Sequence, residues 1–173
     1  METTDLHPTV AILMGSASDL PVIDRAACFF DRMNVPFEMH ILSAHRTPAE
    51  VEDFARNAKE RGIKVIIAAA GMAAHLGGVI AATTTLPVIG VPINASLDGL
   101  DSLLSIVQMP PGVPVASVGI NATLNAAILT VQILALSDTE LAGKILDYKE
   151  ELKEKVLADD RKLAETAYRC KTN

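Results

Sequence analysis

The segment Ser43-Ala44-His45-Arg46-Thr47-Pro48 sets a histidine and an arginine side by side, just ahead of a helix-opening pattern. A guanidinium can hold a phosphate through paired N–H donors, and a helix start adds to that attraction. Histidine changes charge near neutral pH, which makes His45 the better acid–base candidate of the two. A plain surface histidine beside a helix cap is the alternative.

A second segment, Gly15-Ser16-Ala17-Ser18-Asp19, follows the apolar run Thr9–Met14. Glycine admits close backbone approach, Ser16 and Ser18 offer hydroxyls, and the helix start supplies free N–H groups for an anion. Asp19 repels a phosphate but suits ribose hydroxyls. The same residues would equally make a simple cap, with Ser18 or Asp19 as the capping side chain. In the third segment, Gly71-Met72-Ala73-Ala74-His75-Leu76-Gly77-Gly78, nearly every side chain is small, so a planar ring can lie against backbone. His75 is its only polar side chain; a satisfied core histidine remains the alternative. His7 and His40 fall outside these segments, His40 by only two residues from the Ser43 segment.

These segments sit where an open α/β sheet would place them. Thr9–Met14, Pro36–Leu42, Lys64–Ala70 and Pro87–Val91 are continuous apolar runs, with Pro114–Ile120 a weaker one. Unbroken rather than alternating runs fit strands covered on both faces, as in parallel sheets. Between them come helical patterns. Asp19–Met33 carries a stripe of Val22, Ala26, Phe29, Phe30 and Met33, and a second helix opens at Thr47-Pro48-Ala49-Glu50 as a capping box and stops at Gly62. Strands alternating with helices predict a doubly wound, flavodoxin-like α/β domain whose ligand lies at the carboxyl ends of the strands. Asn121–Leu136 reads as an apolar helix. From Asp138 to about residue 170 runs a long amphipathic one, marked by Leu141, Ile145, Tyr148, Leu152, Val156, Leu163 and Ala167. Such a helix outreaches its own domain, so it kinks or lies across a neighbouring subunit; a tail packed on its own domain is the alternative. The expectation is one domain over 1–173, with its core at 9–136.

Composition narrows the function. The 173 residues are 50% hydrophobic but only 3% aromatic, without tryptophan, and the formal net charge is −6. An acidic chain with so few rings fits neither a nucleic-acid footprint nor single-strand stacking. Val65–Ala82 lacks formal charge, yet its Ala and Gly content and His75 argue against a membrane span. The acidic start Met1–Asp5 is no secretory signal, and Cys28 and Cys170, far apart, fit a reducing cytoplasm. No GxxxxGK[ST] loop, GxGxxG turn, metal-ligand spacing, GxSxG elbow or Cys–His arrangement occurs. The residues themselves thus describe a cofactor-free acid–base site for a small phosphorylated or sugar-bearing ligand.

At these same residues the chain resembles the N5-carboxyaminoimidazole ribonucleotide mutases of purine biosynthesis. The shared strings are MGSASD (Met14–Asp19), SAHRTP (Ser43–Pro48), AAHLGG (Ala73–Gly78) and GLDSLLSIVQMPPGVPV (Gly99–Val115), within a similarity from about Val10 to Leu136. The resemblance implies a flavodoxin-like domain in a homo-octamer, acting without ATP, metal or other cofactor. It implies movement of a carboxylate from the exocyclic nitrogen of an aminoimidazole ribonucleotide to ring carbon C4, through a trapped CO2. It places Ser16, Asp19, Ser43 and Arg46 on the ribonucleotide and makes His45 the general acid/base. His75, with the backbone of Gly71 and Ala73, Ala74 and Leu76, becomes the wall around the base and the CO2. One histidine can first deliver and then remove a proton, and a tight apolar pocket keeps CO2 in and water out.

Two positions depart from the family's pattern: Met72 stands where a second glycine is usual, and Gly77 where a proline is usual. Met72 narrows the expected pocket. A related class carboxylates aminoimidazole ribonucleotide directly with CO2; it usually lacks the AAHL histidine and has lysine after SAH, so His75 and Arg46 favour the mutase. A non-catalytic nucleotide-binding module is the remaining alternative.

Overall fold

The structure, a computed structural model, describes residues 7–172; the acidic start read from Met1–Asp5 lies outside them. Strands β1 (Val10–Met14), β2 (Phe37–Ile41), β3 (Val65–Gly71), β4 (Val88–Ile93) and β5 (Ala116–Ser117) alternate with helices α1 (Leu20–Met33), α2 (Pro48–Asn57), α3 (Leu76–Thr83) and α4 (Leu100–Val107). Two more helices follow, α5 (Thr123–Ala135) and α6 (Thr139–Glu165). All strand pairs are parallel, in the order β2-β1-β3-β4-β5. That order is the flavodoxin-like one, with the direction of winding reversing between β1 and β3.

The apolar runs fold as they do because both sheet faces are covered. β1, β4 and nearly all of β3 are buried throughout, whereas edge strand β2 is only partly so. Side-chain alternation sends Ala11, Leu13, Ile66, Ala68 and Ala70 to one face. There they meet Val51, Phe54 and Ala55 of α2, Leu76 and Ile80 of α3, and Ile106 of α4 in one cluster. The buried stripe of α1 has no member in that cluster and covers the other face. Ile23 rather than Val22 begins that stripe, followed by Ala26, Phe29, Phe30 and Met33. The Thr123 hydroxyl at the start of α5 donates to the Val22 carbonyl (2.5 Å), which holds α5 beside α1. Burial of each large aliphatic side chain is worth about 1.5–3 kcal/mol.

Three local expectations change. The weak run Pro114–Ile120 yields only two paired residues, Ala116 and Ser117, both exposed, so little apolar surface drives a longer strand. Thr47 makes no capping-box bond. Its Oγ1 accepts from Ser43 N (2.9 Å) and donates to Ser43 O (3.1 Å), closing the preceding loop instead. Helix α2 ends at Asn57, and the chain continues in turns to Gly62. There Ile63 N bonds Ala58 O and Gly62 N bonds Lys59 O, with Gly62 at φ +96, the glycine-terminated stop the sequence signalled.

The described residues form two compact units, divided between Ile133 and Leu134. In the second, Asp138 caps α6 by accepting from Glu140 N and Leu141 N. At 27 residues α6 is about 40 Å long. Leu141, Ile145 and Tyr148 are buried, while Leu152, Val156 and Leu163 of the expected stripe are exposed. Among the described residues no helix is long and apolar enough to cross a membrane; Val65–Ala82 divides into β3, a turn and most of α3.

Candidate active site

The carboxyl ends of β1, β2, β3 and β4 open on one cleft of about 520 Å³, a size ordinary for small-molecule sites. The β1 end is fixed first. Gly15 N donates to Ala69 O on β3 (3.1 Å), and Ser16 caps the short turn that leads into α1, its Oγ accepting from Ser18 N (3.3 Å) and from the Ser18 hydroxyl (2.8 Å). Asp19, closing that turn, is buried. Burial pushes its carboxyl above the ordinary carboxylate value, against hydrogen bonds from Ser18 and Ser16 and the positive charge of Arg46, which act to lower it.

At the β2 end the loop Ser43–Thr47 is folded by its own polar groups. Arg46 donates to the Ser43 hydroxyl from both its backbone N and its Nε (3.3 Å each), and its Nη2 donates to the Gly15 carbonyl across the cleft floor (2.6 Å). Ser43 is thereby a holder of Arg46. A guanidinium has five N–H donors, and those not used on Ser43 and Gly15 remain to meet an anion.

The β3 end supplies the other histidine. Gly71 ends the strand against β4, where a Cβ on it would stand 2.8 Å from the Ala95 Cβ and 3.2 Å from the Ile93 carbonyl oxygen. Met72 then takes φ +56, and His75 N donates back to Ala73 O (2.8 Å), a tight turn that leaves His75 at the cap of α3. From there the His75 ring reaches His45: Nδ1 lies 2.9 Å from His45 Nε2, with the rings edge to face at 79°. Only one proton fits in such a contact, so one imidazole donates while the other accepts, and the two tautomers are coupled.

The cleft thus gathers Ser16, Asp19, Ser43, His45, Arg46, Gly71, Ala73, His75 and Leu76 from the sequence candidates, and only Ala74 stays out. Ala74 is buried in the core cluster, because the turn at Met72–His75 directs its methyl inward. Gly15, Ser18, Ala44, Ala70, Met72 and Ala95 line the cleft as well. Of these Ala95 carries no chemical signal in its residue type; its place in Asn94-Ala95-Ser96, at the exit of β4, is the one sequence feature that points to the cleft. His40 stays outside, its ring on Phe54 (5.1 Å) and its Nε2 3.4 Å from Glu38. Among the described residues no group of three or more His, Cys, Asp or Glu side chains is gathered as a metal site.

A family model described as AIR carboxylase matches residues 9–155, a span that holds every residue of this cleft. The chain belongs to the AIR carboxylase family. Among family relatives, a protein of Pyrococcus abyssi named N5-carboxyaminoimidazole ribonucleotide mutase is 56% identical, over 84% of this chain and 84% of that protein. The protein of the same name from Thermotoga maritima is 53% identical, over 94% of this chain and 95% of its own length. The crystal structure of Treponema denticola PurE superposes with a TM-score of 0.79 at 28% identity, covering 90% of this chain and 98% of that one. The AIR carboxylase fold agrees with the parallel sheet and strand order described above.

Proposed function

We propose that this chain is an N5-carboxyaminoimidazole ribonucleotide mutase of purine biosynthesis, an isomerase that produces 4-carboxy-5-aminoimidazole ribonucleotide. The observation that carries the reading is the His45–His75 contact of 2.9 Å in one cleft with Arg46 and Asp19, in a chain 53–56% identical to proteins of that name. Arg46 takes the phosphate, Asp19 accepts from the ribose hydroxyls, and Ser16 completes the polar end. The base lies against Gly71, Ala73 and Leu76, where small side chains leave room for a ring.

In this reading His45 delivers a proton to the exocyclic nitrogen as its bond to the carboxylate carbon breaks, releasing CO2. The ring carbon C4 then forms its bond to the CO2 carbon, and its proton returns to the histidine. His75 holds His45 in the tautomer each half-reaction needs. Water exclusion by the Ala and Gly wall keeps CO2 beside C4.

A homo-octamer in the cytoplasm completes the proposal, the C-terminal helix being part of the single domain's packing on a neighbouring subunit. Exposed Leu97, Leu100, Leu104 and Val107 around α4, and exposed Leu152, Val156 and Leu163 on α6, support an oligomer. Cys28 and Cys170 are free thiols. The test is turnover by purified protein without ATP, offering either the N-carboxylated ribonucleotide or aminoimidazole ribonucleotide with bicarbonate. Consumption of the first supports the mutase; use of the second alone assigns direct carboxylation, and use of neither assigns a binding module. Light scattering at micromolar concentration tests the octamer, and a monomer would remove it.

A further inference from the structure

Thr47 does not line the cleft, yet its hydroxyl is committed to the loop that carries both His45 and Arg46. The hydrogen bonding of β2 to β1 ends with Leu42, whose N–H donates to Met14 O (3.0 Å), so the backbone groups of Ser43 need partners from elsewhere. The Thr47 side chain meets both: Oγ1 accepts from Ser43 N (2.9 Å) and donates to Ser43 O (3.1 Å). Thr47 N donates to the same carbonyl (2.8 Å). Helix α2 receives no side-chain cap, although threonine at this position commonly stabilises a helix start. A hydroxyl that closes the loop in place of capping its own helix serves the geometry of the loop. Two arms leave that closed loop. Arg46 reaches from it to the Ser43 hydroxyl through N and Nε (3.3 Å each) and to the Gly15 carbonyl through Nη2 (2.6 Å). His45 reaches from it to His75, Nε2 to Nδ1 at 2.9 Å.

We infer that Thr47 is a positioning residue whose hydroxyl sets the anion-holding arm, Arg46, and the proton-carrying arm, His45, at once. The roles of the two arms rest on the mutase reading; their common anchor rests on the bonds of the loop. Because Thr47 acts through Ser43, it reaches neither the ligand nor the reacting atoms itself. Losing its hydroxyl frees both ends of the Ser43–Thr47 loop, so binding and turnover fall together. A change at Arg46 alone, by contrast, acts mainly on binding.

The test compares wild type, Thr47→Val, which keeps the shape and loses the hydroxyl, and Thr47→Ser, which keeps the hydroxyl. Thr130→Val is the matched change outside the cleft, removing a hydroxyl that donates to Ala126 O (2.8 Å) on α5. Calorimetry gives the Kd for ribose 5-phosphate, and steady-state kinetics gives kcat and KM for the N-carboxylated ribonucleotide. Thr47→Val is expected to weaken ribose 5-phosphate binding roughly fivefold, the loss a released hydrogen-bonded arm brings. It is expected to lower kcat roughly tenfold or more, since small misplacements of a proton carrier are costly. Thr47→Ser and Thr130→Val are expected to keep both constants near wild type. A merely structural threonine would lower Tm and leave Kd and kcat of the folded enzyme in place. Wild-type constants in Thr47→Val, a fall in only one of them, or a Thr47→Ser enzyme as impaired as Thr47→Val would each overturn the role of Thr47 and leave the mutase reading standing. Thr47→Ala makes the same comparison if Thr47→Val does not fold. A wild type that leaves the N-carboxylated ribonucleotide intact would overturn the mutase reading and the proton-carrying arm together; the ribose 5-phosphate titration needs no turnover and still decides whether Thr47 sets Arg46.

Discussion

His45 Nε2 and His75 Nδ1 lie 2.9 Å apart although their residues are thirty positions apart and leave different strands of the sheet. The pair can share one proton in that contact, which ties the tautomer of the one to the state of the other. His45→Asn removes the proton carrier and should lower kcat by about 10²–10⁴ while ribonucleotide binding persists. His75→Asn keeps a polar atom near the Nδ1 position and should retain more activity than His75→Ala. Steady-state kinetics beside calorimetric binding checks this; equal kcat in the two His75 variants would show that the contact plays no part in turnover.

Arg46 is held by Ser43 and by the Gly15 carbonyl, so binding should be sensitive to both arginine and its holder. Arg46→Lys loses the planar fork and should raise KM far more than it lowers kcat. Ser43→Ala removes the hydroxyl that accepts from Arg46 and should weaken binding by about 0.5–1.5 kcal/mol, the usual worth of such a bond. A Ser43→Ala enzyme with wild-type KM would mean that the guanidinium needs no such holder.

Burial raises the Asp19 carboxyl above its unfolded value, and the sign of its effect on stability follows. Between the unfolded and folded values the native state binds more protons, so stability falls as pH rises through that window, then levels off. Asp19→Asn removes the decline. The variant should be at least as stable as wild type at neutral pH, yet bind the ribonucleotide more weakly. Urea unfolding at pH 4 to 7 with binding at pH 7 tests both halves; a variant less stable at pH 7 than wild type would contradict the burial argument.

Two glycines of the site should respond oppositely to a methyl group. At Gly71 a Cβ would meet the Ala95 Cβ at 2.8 Å, so Gly71→Ala should cost about 1–3 kcal/mol. At Gly15 a Cβ would have nothing within 4 Å, so Gly15→Ala should unfold at nearly the wild-type Tm. Thermal unfolding of the two variants side by side decides it.

Much of this architecture is legible in the chain because parallel strands covered on both faces leave unbroken apolar runs: Thr9–Met14 holds β1, Lys64–Ala70 holds nearly all of β3, and Pro87–Val91 holds the first part of β4, each buried almost throughout. The strand exits followed, and with them nearly every cleft residue. Less legible was what depends on neighbours rather than on spacing. Thr47 has the sequence of a capping box but spends its hydroxyl on Ser43, a choice set by the loop's closure. Ala74 looks like its neighbour Ala73, and only the left-handed step at Met72 sends one to the core and the other to the cleft. Ala95 carries no chemistry in its type, and its place opposite Gly71 comes from the register of β3 on β4. The His45–His75 contact is of the same kind: each histidine was visible as a candidate, their meeting was not.

The most direct test of the account follows the carbon itself. Substrate labelled with carbon-13 at the N-carboxylate is turned over without ATP in unlabelled bicarbonate, and the label in the C4 carboxylate of the product is read by mass spectrometry. The account predicts that most product molecules keep the label, because the CO2 released beside His45 and His75 is recaptured before it leaves the cleft. Product carrying only solvent-derived carbon would contradict it and assign the chain to direct carboxylation.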